Sequence, residues 1–106
     1  MVYLVDTVQL EVNDTDEYLR IVNEEGVPVM TSAGANFVSC WATSKELGEN
    51  VTVKTIWSFK DHAEWNEIRK NLVLNPQWSE YSGRIGALRT GGNRRFFYPA
   101  SFSPLQ

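Results

Sequence analysis

The chain has a single cysteine, Cys40, and a single histidine, His62. A lone thiol cannot close an intrachain disulfide, and one Cys with one His cannot build a structural zinc site of the usual Cys/His kind. Basic charge is scarce as well: 10 Lys and Arg stand against 13 Asp and Glu, for a formal net charge of −3. That balance excludes the basic surface on which nucleic-acid binding normally depends. No apolar run approaches the roughly 18 residues needed to cross a bilayer. The residues after Met1 alternate like a strand and lack the order of a signal peptide. Gly91 and Gly92 have neither the glycine spacing nor the lysine of a phosphate loop. We therefore expect a cytoplasmic protein that has neither nucleic acid nor membrane as a partner and uses no metal.

What is present suits one globular domain. With 106 residues, 42% of them hydrophobic and 22% charged, one core is expected, over residues 1–100, with 101–106 as a tail. Residues 2–12 alternate, with Leu4, Val8, Leu10 and Val12 on one face and Tyr3, Val5, Thr7 and Gln9 on the other, the period of a strand. Asp14 with Glu17 has the spacing of a capping box, followed by Tyr18, Ile21 and Val22 at helical spacing. Gly26 and Pro28 predict the end of that helix or a kink in it, and Val29–Gly34 reads as a return segment. Residues 35–46 and 50–59 predict a hairpin turning at Gly48 and Asn50, its second strand placing Val51, Val53, Thr55, Trp57 and Phe59 on one face.

Asp61 with Glu64 opens a further helix, whose apolar stripe is Trp65, Ile68, Leu72 and Val73. Asn75-Pro76 opens another, with Trp78, Tyr81, Ile85 and Leu88 on one side. Gly91 and Gly92 are expected to stop it, and Phe96, Phe97 and Tyr98 to form a last strand of about six residues.

This order is that of the α+β, ferredoxin-like split βαβ sandwich, in which a four-stranded antiparallel sheet carries helices on one face only. The other face, with Tyr3, Val5 and Ile56, is left bare. Two such sheets packed face to face would cover each other, so we expect a homodimer.

Several motifs carry a family resemblance: Pro28 after the first helix, Trp57-Ser58-Phe59-Lys60-Asp61 at a strand-to-helix junction, Ala63 and Trp65 on the next helix, and Asn75-Pro76-Gln77-Trp78. In these the chain resembles the NIPSNAP-like members of the dimeric α+β barrel superfamily over residues 2–98. The resemblance implies a homodimer with a cleft in each protomer between sheet and helices. The wider superfamily includes cofactor-independent oxygenases, polyketide cyclases, isomerases, dehalogenases and haem-degrading enzymes, so the fold does not choose the function. In the oxygenase-like relatives a polar residue one turn before a tryptophan lies in the substrate cleft. Asp61 and Trp65 hold those positions here, with Asp where Asn would be the closer match.

Two residues are candidates for proton transfer. His62 is the one side chain whose ordinary pKa suits that task near neutrality, and it also stands where a solvated polar residue follows a helix cap. Asp6 interrupts the apolar face of the first strand. It either pairs with Arg94 or Arg95, as a structural element, or faces a cavity as a base. Trp41, Trp57, Asp61, Trp65, Trp78 and Tyr81 are candidates for binding a flat, hydrophobic or aromatic molecule, the aromatic residues serving otherwise as core and Asp61 as a cap. Cys40 reads as an inert, buried thiol. The leading expectation is a small-molecule-binding homodimer without a cofactor. The alternatives are a cofactor-independent monooxygenase or polyketide cyclase/isomerase, and a non-catalytic interaction protein.

Overall fold

Alternation in the first strand places Val2, Leu4, Asp6, Val8 and Leu10 toward the helices. A computed structural model, which describes residues 1–106, shows how the remaining elements assemble on that face. In chain order they are β1 (Val2–Leu10), α1 (Thr15–Ile21), α2 (Val27–Ser32), β2 (Asn36–Ala42), β3 (Val51–Phe59), α3 (His62–Val73), α4 (Pro76–Leu88) and β4 (Arg89–Phe97). The strands form one antiparallel sheet in the order β2-β3-β1-β4, so β1 is central and pairs with both β3 and β4. This is the ferredoxin-like α+β architecture. The molecule measures only 19 Å along its shortest axis, room for one sheet and one layer of helices.

The core fills the space between those layers. Val2, Leu4, Trp57 and Phe59 from the sheet meet Trp65, Ile68, Leu72 and Tyr81 from α3 and α4; Val8, Leu10, Val51 and Val53 meet Tyr18 and Val22. Local backbone chemistry starts both long helices. The Asp61 carboxylate accepts from the Glu64 N–H at 2.9 Å, and the Asn75 side-chain oxygen accepts from the Gln77 N–H at 2.9 Å, with Pro76 in the first turn.

Four local features differ from the sequence-based expectation. The Asp14 side chain makes no cap, and the Glu17 carboxylate turns instead to Arg20 at 2.5 Å, a hydrogen bond that holds its pKa below the usual carboxylate range. Gly26 and Pro28 do not end the first helix. The chain stays right-handed helical from Thr15 to Ser32 and widens into a π turn at Val22–Gly26, where the Val27 N–H donates to the Val22 carbonyl. Pro28 has no N–H to give, and a widened turn is how a helix absorbs such a gap. The last strand starts at Arg89, directly after α4, and contains both Gly91 and Gly92. A bulge opposite Gln9 and Leu10 sets this geometry, with the Thr90 hydroxyl donating to the Gln9 carbonyl at 3.2 Å. At Gly92 φ is +156°, and a Cβ would lie 2.3 Å from the Thr7 carbonyl oxygen, so only glycine fits. Finally, Val73 is 69% exposed and stands outside the stripe of α3.

No helix packs on the second face of the sheet. Tyr3, Val5, Ile56 and Phe97 make its apolar end, while Lys54 donating to Thr7 at 3.1 Å and Thr52 donating to Gln9 at 2.8 Å make a polar end. The tail returns toward this face, since the Tyr3 hydroxyl donates to the Gln106 carbonyl at 2.6 Å. No helix is long and apolar enough to cross a membrane.

Candidate functional site

The site begins with a charge where an apolar residue would be expected. Asp6 lies on the helix-facing side of β1, opposite Thr55 of β3 and Arg94 of β4. The Arg94 guanidinium forks onto its carboxylate, with Nε donating at 2.6 Å and Nη2 at 3.3 Å. The same guanidinium lies 5.6 Å over the Trp65 ring, so a salt bridge and a cation–π contact fix it from two sides.

Beside this pair the layers do not close. A cavity of about 580 Å³ opens between the sheet and α4, within the range of ordinary ligand pockets. Asp6, Val8, Thr55 and Trp57 form its floor; Trp78, Tyr81, Ser82, Ile85 and Gly86 of α4 form its roof; Tyr18 and Met30 close one side, and Arg89, Gly92, Asn93 and Arg94 the other. Gly86 contributes space, because a Cβ built there meets nothing within 4 Å.

Two phenols reach this cavity from residues that are almost wholly buried, Tyr18 at 2% and Tyr81 at 6% exposure. Burial raises the pKa of both above the ordinary tyrosine value. For Tyr18 the Asp6 carboxylate adds to the effect; for Tyr81 the neighbouring Tyr18 phenol and then Asp6 do so. Both therefore remain neutral hydroxyls through the physiological range, able to donate to or accept from a bound molecule. Gly26 in the π turn makes room for one of them, since a Cβ there would fall 2.5 Å from the Tyr81 oxygen. Arg84 ties the same turn to α4 through Glu25 at 2.5 Å.

The structure gathers some of the residues singled out in the sequence and separates others. Asp6, Trp57, Trp78 and Tyr81 share the cavity wall. Trp65 stands behind it, against Arg94. Asp61 serves as the α3 cap. His62 lies away from the cavity, its ring tilted against Phe96 at 4.9 Å and hydrogen-bonded to the Tyr98 hydroxyl. Trp41 is 65% exposed on the opposite face, and Cys40 approaches the Thr55 hydroxyl at 3.5 Å. Tyr18, one of the aromatic residues that the sequence offers as pocket lining, joins the wall, and Met30, Arg89 and Arg94 complete it without having been assigned a ligand-binding role from sequence. Arg89 and Arg94 carry a positional signal, as residues of β4 opposite Leu10 and Asp6 on the helix-facing side of β1. No group of three His, Cys, Asp or Glu side chains is arranged to hold a metal.

A single-layer ferredoxin-like sheet with an amphipathic cavity under its helices defines the class of protein. The NIPSNAP family model matches residues 3–104, and the chain belongs to the NIPSNAP family. It is similar to a NIPSNAP domain protein from Burkholderia xenovorans, with 27% identity, 98% of this chain and 99% of that one covered, and a TM-score of 0.81. A NIPSNAP family protein from Agrobacterium tumefaciens gives 22% identity, 99% and 98% coverage and the same TM-score of 0.81. SnoaB, a cofactor-independent oxygenase from Streptomyces nogalater, shares the fold at 13% identity, 97% and 96% coverage and a TM-score of 0.62. Among curated proteins there is no match.

Proposed function

We propose that this NIPSNAP protein is a homodimer that binds a small, flat, largely apolar molecule in the cavity under α4, with no cofactor. The observation that carries the reading is the cavity itself: about 580 Å³ between aromatic walls, where close packing is the rule for a domain of this size. Trp57 and Trp78 give the wall aromatic character, Met30, Val8 and Ile85 give it apolar contact, and the two phenols supply polar groups. The bare sheet face supports the dimer, because Tyr3, Val5, Ile56 and Phe97 would pack against their symmetry mates.

The test is thermal stabilisation by a panel of one- to three-ring aromatic compounds, run in parallel on wild type and Gly86→Leu. Gly86 lines the cavity and a Cβ there meets nothing within 4 Å, so leucine adds bulk at the cavity wall without a clash at its Cβ. Stabilisation of wild type and none of the variant supports the reading; equal responses place binding elsewhere.

A second reading is cofactor-independent chemistry on the bound molecule, as in an oxygenase or a cyclase/isomerase. The Asp6 carboxylate at the cavity wall favours it, with Asp6 as the base once Arg94 yields to substrate. Under this reading Asp6→Asn abolishes turnover of a ligand that still binds; unchanged turnover removes Asp6 from the chemistry.

A further inference from the structure

Ionisable groups are unevenly divided around the cavity. The chain as a whole carries a net charge of −3, yet the charged side chains on the cavity wall are one carboxylate, Asp6, and two guanidinium groups, Arg89 and Arg94. Tyr18 and Tyr81 add no negative charge, because burial holds both phenols protonated. Asp6 is already committed, with both of its oxygens on Arg94. Arg89 forms no salt bridge and is exposed; it enters the wall where β4 leaves α4, opposite Leu10 of β1, four residues along that strand from Asp6 and its partner Arg94. The unmatched charge of the pocket is therefore positive, and it sits at the Leu10 end of β1.

Toward the Leu4 end of β1 the wall is aromatic and apolar, from Trp57, which lies opposite Leu4, with Trp78 and Met30. A guanidinium at the mouth of an apolar slot suits a planar molecule with an acidic group at one edge, since the fork geometry of arginine matches a carboxylate and a low-dielectric wall strengthens the attraction. From this arrangement we infer that the ligand is an aromatic acid: its rings lie under α4, its carboxylate faces Arg89, and a ring oxygen, where there is one, meets the Tyr18 and Tyr81 hydroxyls. Arg89 is then a specificity-determining residue. The inference rests on the ligand-binding reading above and narrows it to one chemical class.

The experiment measures Kd by tryptophan fluorescence and calorimetry for three acids, benzoate, naphthoate and anthracene carboxylate, each beside its uncharged primary amide. The full-length protein is compared with Arg89→Gln, with Arg69→Gln as a control for loss of a surface arginine on α3, and with Gly86→Leu. We expect the best-fitting acid to bind wild type at least about tenfold tighter than its amide, the scale of one charge-assisted contact in a partly buried site. Arg89→Gln brings that ratio near one, Arg69→Gln retains it, and Gly86→Leu removes binding of acid and amide alike. If acids and amides bind equally and Arg89→Gln changes nothing, the acid assignment is overturned while the cavity remains a binding site. If none of the six compounds binds wild type at millimolar concentration, the cavity reading falls together with the inference. Loss of the acid preference in Arg69→Gln as well would mean general charge attraction and would overturn the role of Arg89.

Discussion

At the scale of single residues, Tyr18 and Tyr81 connect burial to chemistry most directly. Each places an uncharged hydroxyl at a cavity wall and is denied the water that would stabilise its phenolate. A raised pKa in the folded state means that the native protein holds these protons more tightly than the unfolded chain does. The corresponding stability is fully present below the ordinary tyrosine pKa of about 10 and is lost as pH rises beyond it. The urea midpoint should therefore fall on titration from about pH 8 to pH 11. The double variant Tyr18→Phe, Tyr81→Phe should show a distinctly shallower fall; identical pH dependence in the two proteins would show that these phenols are not held protonated by the fold.

Asp6 was legible as an anomaly because alternation is strict in β1, and a carboxylate on an apolar face demands a partner or a cavity. It has both. Trp41 was not legible in the same way. β2 shifts register between Phe37 and Ser39, so Phe37 packs at 5.3 Å from Trp57 on the helix side while Trp41 emerges on the other face. A bulge of this kind reverses every side chain beyond it, and nothing in the sequence of β2 marks its position.

At the scale of elements, the helix starts were readable and one apparent stop was not. Asp61 and Asn75-Pro76 act on the nearest free N–H groups, so a few residues of sequence contain the whole cause. Asp61→Ala should lower stability by about 1 kcal/mol through the lost cap. It should leave ligand affinity unchanged, because Asp61 lies off the cavity wall. A fall in affinity larger than the fall in stability would return Asp61 to the binding site.

Gly26 and Pro28 read locally as a stop, yet the helix passes through them as a π turn. The reason lies 55 positions away in sequence, at Tyr81, whose ring occupies the space a side chain at Gly26 would need. An ordinary Gly→Ala change inside a helix stabilises by up to about 1 kcal/mol. Here the sign should reverse: Gly26→Ala should cost roughly 1–3 kcal/mol by overpacking and weaken ligand binding by displacing Tyr81. Denaturant unfolding together with a binding titration checks both, and a stabilised variant with intact binding would show that the contact is slack. The cavity follows the same logic. Its walls come from six elements, β1, α1, α2, β3, α4 and β4, so their convergence is a property of topology that no local pattern carries.

For the whole molecule, the slab shape raises the question of what covers the second face of the sheet. A four-stranded sheet with helices on one side leaves Ile56, Tyr3 and Phe97 without a helix against them. If two protomers pack face to face, Ile56→Asp places like charges against each other across a desolvated interface. Sedimentation should then show the wild type at twice the mass of the variant; a monomeric wild type would mean that the bare face stays in water. The architecture was legible from the order of elements alone, because a split βαβ chain has few ways to bury its helices. The ligand was not, because many functions share this scaffold and only side chains on the cavity wall distinguish them.

The central claim is that the space beneath α4 is a binding site for a planar aromatic molecule. The measurement that tests it most directly is a crystal structure of the protein with the tightest-binding member of the aromatic panel. The account predicts ring density between Trp57 and Trp78, with a polar atom within hydrogen-bonding distance of the Tyr18 or Tyr81 hydroxyl. Ligand seated on the bare sheet face, with the space between α4 and the sheet closed by side chains, would contradict it.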